Sequence, residues 1–105
     1  MKREDSYIAK RIRNCIDPID PKAKVIIFGS RARGDAKEES DWDILILTDF
    51  PVTYEIERSF RNNLFDLEIE TGEVFSTFVY QNHIWENRYK VTPLYQNIKR
   101  EGINI

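Results

Sequence analysis

Val25-Ile26-Ile27-Phe28 is a run of four consecutive apolar residues with strong β preference, bounded by Pro21 and Gly29. A run this short, with no polar residue alternating through it, reads as a strand covered on both faces. The flanking sequence supplies helices to cover it. Ile8, Ile12, Cys15 and Ile16 fall at helical spacing, with Lys10, Arg11 and Arg13 on the other face, until Asp17-Pro18 and Asp20-Pro21 end the segment. From about Thr53 to Thr71, Ile56, Phe60, Leu64 and Leu67 repeat at helical intervals, and Gly72 stands where a C-cap is expected. A second strand is predicted from Trp42 to about Leu47 and a third from Val74 to Tyr80. Ile84 and Trp85 lie on a short helical or irregular segment. Thr92-Pro93 offers an N-cap and first-turn proline to a last helix carrying Leu94, Tyr95 and Ile98, which Gly102 stops. The order helix, strand, strand, helix, strand, helix predicts a small α/β or α+β layer fold with one sheet.

At 105 residues the chain has room for a single domain spanning 1–105, and none for a catalytic domain joined to a separate substrate domain. Its formal net charge of −2 argues against broad nucleic-acid binding, which needs a basic face, although Arg31 and Arg33 form a local basic pair. The single cysteine, Cys15, excludes an internal disulfide and a cysteine-based zinc site, and its apolar neighbours Ile12 and Ile16 suggest a buried thiol. No apolar stretch has signal-peptide length or approaches the roughly 20 residues that span a bilayer, so the chain is expected to be cytoplasmic and free of membrane.

The chemistry concentrates between residues 29 and 43. Asp41 and Asp43 are two apart, and side chains alternate along a strand, so both carboxylates project from one face while Trp42 points to the other. Two adjacent carboxylates repel each other and pack poorly; a divalent cation between them resolves both difficulties. The first strand runs directly into Gly29-Ser30, where glycine permits a sharp turn and close approach to a ligand. Ser30 adds a hydroxyl and an amide, and the residues after it can begin a helical turn with free N–H groups. Arg31 and Arg33 add charge suited to phosphate oxygens. If the two strands are neighbours, a phosphate cradle meets a carboxylate pair at one sheet edge, which is what a nucleoside triphosphate with magnesium requires. Either half of this pattern alone is commonplace. Gly29-Ser30, ten residues, then Asp41-x-Asp43 leading into Ile44-Leu45-Ile46-Leu47 is far more specific.

Gly29-Ser30-Arg31-Ala32-Arg33-Gly34 and Ser40-Asp41-Trp42-Asp43-Ile44-Leu45 resemble the signature of the DNA polymerase β-type nucleotidyltransferase superfamily, and within it the minimal nucleotidyltransferase (MNT) proteins of bacteria and archaea. The motif covers about residues 25 to 47, and the element order extends the resemblance over nearly the whole chain. The resemblance implies a mixed β-sheet backed by helices. It implies that Gly29 and Ser30, with Arg33, hold the triphosphate of an NTP such as ATP, and that Asp41 and Asp43 are the catalytic pair that ligates Mg²⁺. The reaction implied is transfer of a nucleoside monophosphate to an acceptor hydroxyl with release of pyrophosphate. Small proteins of this family are commonly paired with a helical HEPN-domain protein, as antitoxin to toxin, and some transfer AMP to that partner.

Such enzymes normally carry a third carboxylate on the strand beside the aspartate pair. The corresponding run here, Val74-Phe75-Ser76-Thr77-Phe78-Val79, contains no acid; Ser76 or Thr77 takes the position, with Glu73 or Glu70 as the nearest substitutes and Glu68 also close in sequence. Two further functions therefore stand beside the enzyme: a weakly active or non-catalytic nucleotide-binding subunit that neutralises a HEPN-like partner by covering it, and a small-substrate transferase whose pocket an oligomer or partner completes. His83, the only histidine, is expected at the surface, and Trp85, Tyr89 and Tyr95 are expected to complete a core or an interface.

Overall fold

The computed structural model describes residues 1–105. Nine regular elements follow a short 3-10 turn at Arg3–Asp5: α1 (Ser6–Ile16), β1 (Lys24–Phe28), α2 (Gly29–Arg33), β2 (Trp42–Thr48), α3 (Tyr54–Thr71), β3 (Phe75–Gln81), α4 (Asn82–Arg88), α5 (Pro93–Glu101) and β4 (Ile103–Asn104). The four strands form one sheet in the order β3-β2-β1-β4. β1 runs antiparallel to both β2 and β4, whereas β2 and β3 are parallel, joined across α3, so the sheet is mixed.

Alternation along β2 sorts the core into two layers. Trp42, Ile44 and Ile46 face α1 and α3 and pack with Ile12, Ile16, Val25, Ile27, Phe60 and Leu64. Leu45 and Leu47 face the other way and pack with Phe28, Trp85, Tyr95 and Ile98, where α4 and α5 lie. This is why Val25–Phe28 shows no polar alternate: the sheet is covered on both sides. The helix signals in the sequence act where they stand. Thr53 Oγ1 accepts the Ile56 N–H at 3.2 Å and Gly72 ends α3 at φ +76°. Thr92 Oγ1 likewise accepts the Tyr95 N–H at 3.2 Å ahead of Pro93.

The sequence boundaries of the third strand shift by one residue. Val74 precedes β3, although its carbonyl already accepts the Trp42 N–H at 2.8 Å. Cys15 is half-buried rather than enclosed, and burial pushes its thiol pKa up. β4 was not anticipated, because two residues carry no periodicity. It is nonetheless fixed by pairing of Ile103 with Ile27 and of Asn104 with Ile26.

Candidate active site

The first strand delivers its last residue, Phe28, opposite Asp43 of β2. The next residue turns abruptly: Gly29 has φ +72°, a left-handed conformation that side chains with a Cβ rarely adopt. The glycine is required for a second reason. A Cβ at position 29 would collide with the Asp43 carboxylate. Turn and acid are thus in direct contact, and the two strands that carry them are neighbours.

Asp43 is half-buried, on the face of β2 that carries Leu45 and Leu47, and Asp41 lies exposed immediately before the strand. Burial raises the Asp43 pKa first, the like charge of Asp41 raises it further, Arg33 opposes the shift, and Glu101 adds to it. A carboxylate that resists ionisation beside a second one suits a cation, which relieves both the desolvation and the repulsion. Nowhere in the protein do three or more His, Cys, Asp or Glu side chains converge in a group that could hold a metal.

Ser30 is partly exposed in α2, and its carbonyl accepts the Gly34 and Asp35 N–H groups at 3.0 and 3.2 Å, tightening the turn. The two arginines part company. Arg33 is exposed and reaches Asp35 and Glu101, each at 3.1 Å, on the Asp43 side. Arg31, expected from the sequence to add charge for phosphate, turns inward instead. It is buried, lies over the Trp42 ring at 5.1 Å, pairs with Asp5 at 3.2 Å and Glu73 at 3.4 Å, and donates to the Ser40 and Glu38 carbonyls at 2.8 and 3.2 Å. Its work is to pin the 34–41 loop that leads into Asp41. The N-terminus assists, with the Met1 ammonium on the Ala32 carbonyl and Lys2 Nζ on the Ala36 carbonyl.

The parallel register sets Ser76 directly beside Asp43 and Thr77 beside Ile44, so β3 places no acid next to Asp43. The acids considered as substitutes are committed elsewhere. Glu73 accepts from Arg31 and from the Trp42 indole N–H on the opposite face of β2, Glu70 pairs with Arg11 at 2.7 Å, and Glu68 accepts the Phe75 N–H. The acid that does reach the corner is Glu101, at the end of α5. It accepts the Gly29 N–H at 3.2 Å and Arg33 at 3.1 Å. Sequence reasoning passed over it, although a signal existed: an acid in the last turn of a helix opposes the helix dipole and calls for a partner elsewhere. His83 is exposed and hydrogen-bonded only within α4, and Trp85 and Tyr95 belong to the second core layer.

The glycine turn meets the Asp43 carboxylate at one end of a mixed sheet with helices on both faces. Residues 9–99 match the family model described as the nucleotidyltransferase domain, and the chain belongs to that family. A relative from Methanocaldococcus jannaschii, MJ0604, which bears the provisional name protein adenylyltransferase, is 34% identical over 79 residues, covering 75% of this chain and 73% of its own. A crystal structure of a toxin–antitoxin with AMP-PNP superimposes with a TM-score of 0.65 at 18% identity, over 90% of this chain and 69% of that one, and shares the fold. No helix is long and apolar enough to cross a membrane.

Proposed function

We propose that this protein, acting as a single cytoplasmic domain over residues 1–105, transfers a nucleoside monophosphate, AMP foremost, from an NTP to a hydroxyl of a partner protein or small molecule, and that it is the antitoxin of a HEPN/MNT pair. The observation that carries this reading is the contact of the Gly29 turn with the Asp43 carboxylate, with Arg33 and Asp41 at the same corner. The adenylyl group and the protein acceptor are supported by the name of the Methanocaldococcus jannaschii relative. The toxin partner is supported by the toxin–antitoxin structure with AMP-PNP.

In this reading the Gly29 and Ser30 turn and Arg33 bind the triphosphate, and Asp41 and Asp43 hold Mg²⁺. A cation held by Asp41 and Asp43 would neutralise phosphate charge and polarise the reacting phosphoryl group. The acceptor oxygen forms a bond to the α-phosphorus as the bond to pyrophosphate breaks. Its proton passes to solvent, because Ser76, beside Asp43 on β3, offers no carboxylate to take it. Positioning supplies most of the catalysis in phosphoryl transfer, and here it comes from a glycine turn set against a strand. The test is incubation with labelled ATP, Mg²⁺ and the protein encoded beside this one, with Asp43→Asn as control. Label should move to the partner with the native chain alone; no transfer to any acceptor overturns the proposal.

Ser76 beside Asp43 also favours a second reading, a subunit that binds nucleotide and silences its partner by contact. That version predicts a complex that persists in the Asp41→Asn/Asp43→Asn double variant. Loss of the complex on removing both aspartates rejects it.

A further inference from the structure

Glu101 has no role in the scheme above, yet its placement is built in from both sides. It closes α5, whose Tyr95 and Ile98 are buried in the second core layer. Gly102, next in sequence, packs so closely on β1 that a Cβ there would meet Ile26 Cγ2 at 2.7 Å. Ile103 then pairs with Ile27 in antiparallel register, and continuing that register sets Glu101 opposite Gly29. Both carboxylate oxygens are engaged: Oε1 accepts the Gly29 N–H at 3.2 Å and Oε2 accepts Arg33 at 3.1 Å. The side chain is only 18% exposed. The two donors it takes are those that the triphosphate needs, one from the glycine turn and one from the arginine.

We propose that Glu101 is a phosphate surrogate: with no nucleotide bound, its carboxylate fills the Gly29/Arg33 phosphate subsite, and an incoming triphosphate must displace it. This rests on the nucleotidyltransferase reading of the same corner. A carboxylate accepting one backbone N–H and one guanidinium N–H presents the same charge and acceptor geometry as two phosphate oxygens. While it stays, the corner holds Asp41, Asp43 and Glu101 against Arg33, and Arg33 is further shared with Asp35. A polyanion then binds only by exchanging one anion for another. The exchange keeps the Gly29 N–H and Arg33 paired in both states, and it sets an affinity threshold that weakly charged ligands do not cross. Because Glu101 sits where α5 ends and the edge strand β4 begins, the threshold belongs to the C-terminal segment of the chain.

Calorimetric titration with Mg-ATP, and separately with inorganic triphosphate, compares the native chain with Glu101→Gln. The amide is a weaker acceptor and carries no charge, so the variant should bind both probes about tenfold more tightly. Binding by the native chain with equal or weaker binding by Glu101→Gln overturns the surrogate role and leaves the nucleotide reading standing. Failure of both proteins to bind either probe overturns both. If Glu101→Gln does not fold, the native chain gives its own readout through the carboxyl carbon resonance of Glu101. That resonance should shift along the Mg-ATP binding curve. A resonance unmoved at saturation overturns the proposal.

Discussion

Gly29 and Asp43 are in contact across the junction of β1 and β2, and a single carbon added to Gly29 would occupy the space of the Asp43 carboxylate. The backbone there is left-handed as well, at φ +72°. The glycine turn and the Asp43 carboxylate are therefore one structural unit.

Gly29→Ala should disturb both. Forcing a Cβ into a left-handed position costs about 1–2 kcal/mol, and the collision with Asp43 adds to it. Denaturant unfolding should show that loss, and Mg-ATP binding should fall below detection. A variant of native stability that binds Mg-ATP normally would contradict the geometry described.

Asp43→Asn is expected to stabilise the metal-free protein while ending transfer. The folded-state pKa of Asp43 is raised, by burial first and by Asp41 second, so the folded chain holds this proton more tightly than the unfolded chain does. Below the ordinary carboxylate range both states are protonated and there is no penalty. As pH rises from that range through the raised value, the unfolded chain ionises first and stability is lost. The Tm of Asp43→Asn should therefore exceed that of the native chain at about pH 7, with the gap closing on acidification to about pH 4. Added Mg²⁺ should raise the Tm of the native chain alone. Calorimetry across this range checks both statements.

The two arginines should separate stability from binding. Arg31 is buried among Asp5, Glu73 and Trp42, and removing one member of a buried pair costs about 3–5 kcal/mol. Arg31→Ala should unfold at markedly lower denaturant. Arg33 is exposed, so Arg33→Ala should change stability by no more than about 0.5 kcal/mol. It should weaken Mg-ATP binding about tenfold by calorimetry, the equivalent of one charge-assisted hydrogen bond.

Ser76→Asp supplies an acid directly beside Asp43 on the neighbouring strand. Expected outcomes are tighter Mg²⁺ binding, transfer accelerated about tenfold or more, and a lower Tm without metal from like-charge repulsion. Single-turnover measurement with labelled ATP decides it. An unchanged rate would show that the third position does not limit the chemistry.

Much of this was legible in the sequence because it rests on local rules. The uninterrupted Val25–Phe28 run, the Thr53 and Thr92 caps and the Gly72 stop each act within a few residues of where they stand. The Gly29-Ser30/Asp41-x-Asp43 spacing carried the family. What local rules do not carry is which way a side chain leaves its element in three dimensions. Arg31 and Arg33 look equivalent in sequence, yet one residue between them on a short helix sends one to Trp42 and the other to Glu101. Glu73 was one of the two nearest substitute acids along the chain, but the Trp42 indole and Arg31 hold it on the Trp42 face. Glu101 lies 72 residues from Gly29, and only the β4 pairing brings them together.

The division of the core by the sheet has an evolutionary consequence. The larger layer, built on Trp42, Ile44 and Ile46 with α1 and α3, sits behind the strands, away from the acidic corner. The smaller layer, with Phe28, Leu45, Trp85, Tyr95 and Ile98, shares its face with Asp43 and carries the helix that ends in Glu101. Substitutions accumulating in the first layer, apart from Ala32 and Trp42 beside the corner, alter chiefly how firmly the molecule folds. Those in the second move the groups themselves. Lineages descending from such a chain can drift in robustness and diversify in specificity along nearly separate sets of positions.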